Sequence, residues 1–239
     1  MNSDIRERLV AHRGDHEDTP ENTLVSFERA VAAGARWLEC DIQFTCDAEP
    51  VVLHDDHLGR LCGVDHNISS FNSDELSEIS VFEPARIGKQ LEAQPILFLS
   101  DFLFWLDEHP DVTLFLEIKD EALGRLTPDR IAKIVLPMIA GSKTSIIPIS
   151  SSASILETLH TQCPQPLGWV AEGPQPKMGL DYVFLEGCNE AAIREWHEHG
   201  ASVAVYTIND ANKARYCWAA GADLVETNHF TRLYHELRV

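Results

Sequence analysis

Arg36-Trp37-Leu38-Glu39-Cys40-Asp41-Ile42-Gln43 reads as one β-strand. Side chains on a strand alternate faces, so Glu39 and Asp41 share one side while Leu38, Cys40 and Ile42 share the other. Two carboxylates on one face repel each other unless a cation lies between them. The next extended run, Pro50-Val51-Val52-Leu53-His54, follows the short polar segment Thr45–Glu49. A connection this short makes an antiparallel hairpin and excludes a parallel crossover. A turn centred between Asp47 and Ala48 sets His54 opposite Asp41. Further along, Leu114-Phe115-Leu116-Glu117-Ile118-Lys119 alternates in the same way and puts Glu117 and Lys119 on one face. Three carboxylates with His, Arg and Lys nearby point to a divalent cation and an anionic substrate.

Composition narrows the functional classes. The chain has 239 residues, long enough for one barrel-sized domain, and its 44% apolar and 24% charged content is ordinary for a globular protein. A net charge of −19 argues against nucleic acid and anionic membrane surfaces as partners. It also disfavours an anionic substrate unless a bound cation reverses the local sign. Cysteines 40, 46, 62, 163, 188 and 217 form no CxxC pair and read as reduced thiols of a cytoplasmic protein. No apolar run is long enough for a transmembrane helix, and the polar start, Met1–Arg8, has no signal-peptide character. Oligomeric state is left open by these features.

The rest of the chain alternates strands and helices. Strands are expected near residues 10, 39, 115, 147, 168, 183, 204 and 224, with the hairpin's return strand set aside as an arm. Helix 1 is expected from about Glu21 to Ala33, with Pro20 at its start and Gly34 at its stop. Other helices are expected over Ser100–His109, Thr127–Gly141, Ala153–Thr161, Glu190–His199 and Asp210–Ala220. Glu172–Gly179 carries too many prolines and glycines for a helix. Asp56–Gln94 has weak helical signals around Ser73–Ile79, is otherwise irregular and reads as a short rim insertion that could cover substrate. Three joints, Ala33-Gly34-Ala35, His199-Gly200-Ala201 and Ala220-Gly221-Ala222, each put glycine just past a helix and lead into a strand. Eight strands alternating mostly with helices imply an α/β fold of the (β/α)8 TIM-barrel type, one domain over residues 1–239. His12, Glu39, Asp41, Glu117, Lys119, Thr207 and Thr227 then fall near the C-terminal strand ends, where such barrels carry their chemistry.

Each candidate has an ordinary structural alternative. Glu39, Asp41 and Glu117 sit on otherwise apolar strands, where an unpaired charge is unfavourable, so metal ligation is the better reading. Oxygen-only ligands favour one Mg²⁺ or Ca²⁺ ion. His12 and His54 read as a general acid/base pair. Among the remaining histidines only His16 and His57 lie close enough in sequence to attract attention. Arg13 and Lys119 are either ion-pair partners of the carboxylates or phosphate contacts.

Together, His12-Arg13-Gly14, Pro20-Glu21-Asn22-Thr23, Glu39-x-Asp41, His54-Asp55 with Leu58 and Arg60, and Glu117-Ile118-Lys119 resemble the glycerophosphodiester phosphodiesterase family. The segments Val203–Asp210 and Gly221–Asn228 also resemble that family's last two strands. The resemblance implies metal-dependent hydrolysis of glycerophosphodiesters to glycerol 3-phosphate and an alcohol. It supports Arg13 and Lys119 as phosphate contacts and places a short insertion after the His-Asp strand. Tyr206 stands where the family commonly has a tryptophan packed on the glycerol side, so it is expected to bind substrate. Asn22 is read as stabilising the first turn of helix 1. Asn228, where the family often has aspartate, is read as a loop cap. Two alternatives remain: a related phosphodiesterase acting on lysophospholipid or phosphoinositide head groups, and a catalytically silent barrel that binds a phosphorylated ligand.

Overall fold

The computed structural model describes residues 4–83, 85–87, 92–163 and 165–239. Eight parallel strands close into a barrel: β1 (Leu9–His12), β2 (Trp37–Phe44), β3 (Thr113–Ile118), β4 (Ser145–Ser150), β5 (Gly168–Val170), β6 (Tyr182–Glu186), β7 (Ser202–Tyr206) and β8 (Leu224–Thr227). Closure comes from β1, which pairs with β8 on one side (Val10↔Glu226) and β2 on the other (His12↔Glu39). The (β/α)8 expectation holds.

The period-two pattern separates two cores. Leu9 and Ala11, Leu38, Cys40 and Ile42, Leu114, Leu116 and Ile118, and Val203 and Val205 point outward, into the layer between barrel and helices. The same strands send Val10, Phe115, Ala204 and Leu224 inward, where they pack with Ile147, Ile149, Val170 and Phe184. Phe115 is the centre of this floor. Its ring stacks on Trp37 at 5.2 Å and meets Phe184 edge-on at 4.9 Å. A filled floor of this kind makes the barrel a packed body with its opening at one end.

Among the described residues, seven helices complete the outer layer: α1 (Leu24–Ala32), α2 (Leu99–Leu106), α3 (Pro128–Gly141), α4 (Ala153–Gln162), α5 (Glu190–Glu198), α6 (Ala211–Ala219) and α7 (Phe230–Leu237). Side-chain caps mark several starts as the sequence pattern requires. Thr127 accepts from Arg130 N–H, Ser152 from Ile155 N–H, and Asp210 from Lys213 N–H. The three glycine joints all take left-handed backbone, with φ of 97° at Gly34, 85° at Gly200 and 109° at Gly221. No helix joins β5 to β6 among the described residues, in line with the broken character of Glu172–Gly179.

Four expectations need correction. Helix 1 starts at Leu24, not near Glu21, because Asn22 adopts φ 55° and the backbone turns before Thr23 can act as the boundary residue. The helix α7 follows β8 without a side-chain cap and was not expected. The hairpin register is shifted by one residue. Thr45 N–H closes a five-residue loop onto the Glu49 carbonyl at 3.1 Å, with Ala48 at φ 69°. The turn therefore centres on Asp47, and Phe44 pairs with Pro50, Gln43 with Val51 and Ile42 with Val52. Asp41 lies level with Leu53, whose N–H donates to its carbonyl at 3.0 Å, and His54 is not directly opposite Asp41.

The fourth concerns the insertion, which holds a helix at Ser73–Ser77, where the weak signal lay, and is otherwise more ordered than its composition implied. Leu58, Leu61, Cys62, Ile68, Leu76 and Val81 form a second small core against Val51 and Leu53. Phe71 packs on this core; Leu91 lies outside the described residues. All six cysteines are unpaired, and Cys40 faces the outer core. Among the described residues no helix is long and apolar enough to cross a membrane.

Candidate active site

The C-terminal ends of β1, β2, β3, β7 and β8 converge on one cavity of about 140 Å³, lined by His12, Arg13, Glu39, His54, Glu117, Lys119, Tyr206 and Glu226, among others. The turn after β1 makes the convergence possible. Arg13 continues the β1 ladder, donating its N–H to the Glu39 carbonyl at 3.0 Å, while its φ of 56° throws the side chain back across the site. Gly14 follows because the turn presses onto α1. A β-carbon there would sit 2.7 Å from the Ser26 carbonyl carbon.

Glu39, Asp41 and Glu117 are all buried, and one oxygen from each lies within 4.8 Å of the other two. Cations surround the group. Arg13 Nε is 3.0 Å from Asp41 Oδ2, and Lys119 Nζ is 3.0 Å from Glu117 Oε1 and 3.8 Å from Asp41 Oδ1. Asn22, which the sequence reading left outside the site, donates its side-chain N–H to Asp41 Oδ2 at 2.8 Å. Its left-handed backbone turns the amide inward, so it holds a carboxylate and does not cap helix 1. Even so, Glu39 Oε1 and Asp41 Oδ1 are sealed from solvent with no hydrogen-bond partner.

The electrostatics follow from this packing. Burial resists ionisation of Asp41, but Arg13, His54 and Lys119 together hold its carboxyl well below the usual range. Burial and the Asp41 charge push Glu39 and Glu117 the other way, above the ordinary carboxylate value. A divalent cation would stabilise a carboxylate cluster split like this, because the sealed unpartnered oxygens could serve as its ligands and its charge would offset theirs. The donor set is all oxygen, which suits Mg²⁺ or Ca²⁺.

The two imidazoles flank this cluster with different partners. His12 Nδ1 is 2.7 Å from Asn228 Oδ1, and its Nε2 is 3.8 Å from Glu39 Oε2. Asn228 thus holds a ring of the site and is not a simple loop cap. Burial, and then the Arg13 charge, push His12 down to about 3, so the ring is neutral near pH 7. With Nδ1–H donated to the amide oxygen, Nε2 carries the free lone pair. His54 instead has Asp55 Oδ1 at 2.6 Å from Nδ1. Burial opposes Asp55 ionisation, yet the contacts from His54 and Arg60 keep it ionised well below the usual range.

Arg60 ties the insertion to this machinery. Its guanidinium donates to Asp55 through Nε at 2.7 Å, and to Glu21 through Nη1 at 2.9 Å and Nη2 at 2.8 Å. Glu21 in turn accepts from Arg13 Nη1 at 2.9 Å. Burial works against the Glu21 charge, but Arg60 and Arg13 hold its carboxyl down at about 2.

The remaining candidates separate cleanly. Tyr206 lines the cavity beside Phe184, and its hydroxyl donates to Glu172 Oε1 at 2.8 Å. Thr207 also lines the cavity, whereas Thr227 is buried and donates to Asn209 Oδ1 at 3.0 Å. His57 is exposed and 3.3 Å from Asp65. His16 is buried behind the site, with its N–H on the Asn228 carbonyl at 3.0 Å. Glu226, in the strand expected near residue 224, is 3% exposed and lines the cavity together with Glu39, Glu117 and Glu172.

Known proteins share this chain's sequence pattern and its fold. The model of the glycerophosphoryl diester phosphodiesterase family matches residues 12–140, from the last residue of β1 through most of α3. The chain belongs to that family. A glycerophosphodiester phosphodiesterase of Caldanaerobacter subterraneus is 29% identical over 122 residues, 48% of this chain and 50% of that protein. The chain thus spans about half the length of this relative. Bacillus subtilis YhdW is 24% identical over 239 residues and aligns with 92% of this chain and 94% of its own length. The fold matches that of an Oleispira antarctica phosphodiesterase solved with the product sn-glycerol-3-phosphate. The TM-score is 0.85 at 21% identity, over 97% of each chain.

Proposed function

We propose that this family member hydrolyses glycerophosphodiesters to glycerol 3-phosphate and an alcohol, with Glu39, Asp41 and Glu117 holding one Mg²⁺ or Ca²⁺ ion. The observation that carries the reading is the grouping of three buried carboxylates, two of them with orphaned oxygens, beside Arg13, Lys119 and two imidazoles in one cavity. The sn-glycerol-3-phosphate held by the Oleispira neighbour supports the substrate class. A bound divalent ion would supply Lewis acidity at the phosphoryl group and offset the charge of the carboxylates.

The chain's own residues divide the remaining work. Arg13 and Lys119 attract the phosphoryl oxygens and stabilise the charge that builds on them. His12, neutral with its Nε2 lone pair free, takes the proton from the substrate's 2-hydroxyl as that oxygen attacks phosphorus. The bond from phosphorus to the alcohol breaks, and His54 gives a proton to the departing alkoxide. Asp55 supplies negative charge beside the His54 ring while it carries its second proton. The five-membered cyclic phosphodiester is then opened by water with the roles reversed. His54 takes the water proton and His12 returns one to the 2-oxygen, which regenerates both rings. Tyr206 and Phe184 form the apolar wall for the organic part of the substrate.

Hydrolysis of bis(p-nitrophenyl) phosphate and glycerophosphocholine, with and without EDTA, tests this reading. The expected result is release that EDTA abolishes and Mg²⁺ or Ca²⁺ restores. Absence of metal-dependent release with either substrate refutes it and favours a silent binding barrel.

A further inference from the structure

Glu226 has no role in the scheme above, yet its placement is demanding. It projects from β8 at the level of Val10, next to the strand that ends in His12. Only 3% of it is exposed, and its Oε1 is sealed from solvent without a hydrogen-bond partner. A buried carboxylate without a donor is strongly unfavourable, and such atoms call for a partner. Three of the cavity's donors are committed elsewhere. Lys119 Nζ bonds Glu117, Arg13 is held by Glu21 and Asp41, and the Tyr206 hydroxyl is turned to Glu172. Glu226 also stands outside the three-carboxylate group that can share a cation.

Its position in the ring of strands indicates what partner fits. On one side are His12 and the charged arc that would hold the phosphoryl group. On the other is the wall of Phe184 and Tyr206. A ligand lying across this boundary has its anionic end at Arg13 and Lys119 and a short carbon chain on the aromatic wall. Resting on the proposed phosphodiesterase reading, we infer that Glu226 accepts a hydrogen bond from the terminal, non-attacking hydroxyl of the glycerol unit and makes that hydroxyl a requirement for tight binding. An acyl group on that oxygen removes the donor and sets an ester carbonyl against a buried carboxylate. The site therefore selects deacylated glycerophosphodiesters over lysophospholipids.

The test compares two ligands that differ by that one hydroxyl, sn-glycerol 3-phosphate and propane-1,2-diol 1-phosphate. Both are titrated calorimetrically into the metal-loaded protein. Wild type is expected to bind the first about tenfold more tightly, the range for one net hydrogen bond to a buried group. Glu226→Leu is expected to bring the two affinities within about twofold of each other, and Glu226→Gln, which keeps an acceptor oxygen, to give an intermediate ratio. Equal affinities in wild type, no binding of either ligand, or a wild-type ratio in a folded Glu226→Leu protein each overturns the inference. Should Glu226→Leu fail to fold, the wild-type and Glu226→Gln ratios decide it. Diester hydrolysis is measured separately. A protein that turns over no diester but keeps the tenfold ratio upholds the hydroxyl site and refutes the proposed reaction.

Discussion

Around the mouth of the barrel, the arc formed by β8, β1, β2 and β3 and the arc formed by β4 to β7 are built from opposite materials. The first carries Glu226, His12, Glu39, Asp41, Glu117 and Lys119 on its inward face; the second carries Ile149, Val170, Phe184 and Tyr206, with Glu172 after β5 as its one carboxylate among the cavity-lining residues. Both arcs have the same backbone and the same outward apolar face, so the fold is indifferent to which arc bears charge. Burying so many ionisable groups in one place weakens the barrel unless each is matched. Arg13, Lys119 and Asn22 provide part of that matching, and a divalent ion would provide the rest. On the proposed reading, the phosphoryl group goes to the first arc and the organic moiety to the second. Substitutions in the first arc should therefore alter turnover, and those in the second should alter substrate preference.

The largest effect is expected at the imidazoles. His12→Ala and His54→Ala should each lower turnover at least a hundredfold with the melting temperature little changed, as steady-state assays and thermal melts would read. Near-normal turnover in either variant breaks the assignment of chemistry to the charged arc. Next come the partners of the rings. Asp55→Asn should lower turnover about a hundredfold by removing the charge beside His54. Asn228→Ala should lower it about tenfold by releasing a ring held by a neutral amide. An Asn228→Ala loss that equals the Asp55→Asn loss would show that the two histidines are supported equally. The smallest effect is expected in the apolar arc. Tyr206→Phe removes only a hydroxyl that points to Glu172 at the rim, so kcat should stay within about threefold and any change should appear in KM.

Much of this was legible in the sequence because strand alternation is strict. Glu39 with Asp41, and Phe115 with Glu117, could be assigned to one face from spacing alone, and the glycine joints marked where helices hand over to strands. What escaped depended on backbone turns and on contacts distant in sequence. The pairing of the hairpin hinged on one left-handed residue, Ala48, in a loop whose composition fits either centre. Asn22 looked like a helix-start residue until its own positive φ aimed it at Asp41. Asn228 meets His12 across 216 positions of chain, and no local signal announces that contact. Glu226 was hidden for a different reason. Leu224-Val225-Glu226-Thr227 is too short for alternation to show that the acid faces inward.

The account rests most heavily on the three-carboxylate group as a cation site, and calorimetric titration of Mg²⁺ and Ca²⁺ into the metal-stripped protein tests it directly. One ion should bind per chain, and Glu39→Gln or Glu117→Gln should abolish or sharply weaken that binding while the protein stays folded. Saturable binding that both variants leave untouched, or no binding of either ion to wild type, would contradict the account.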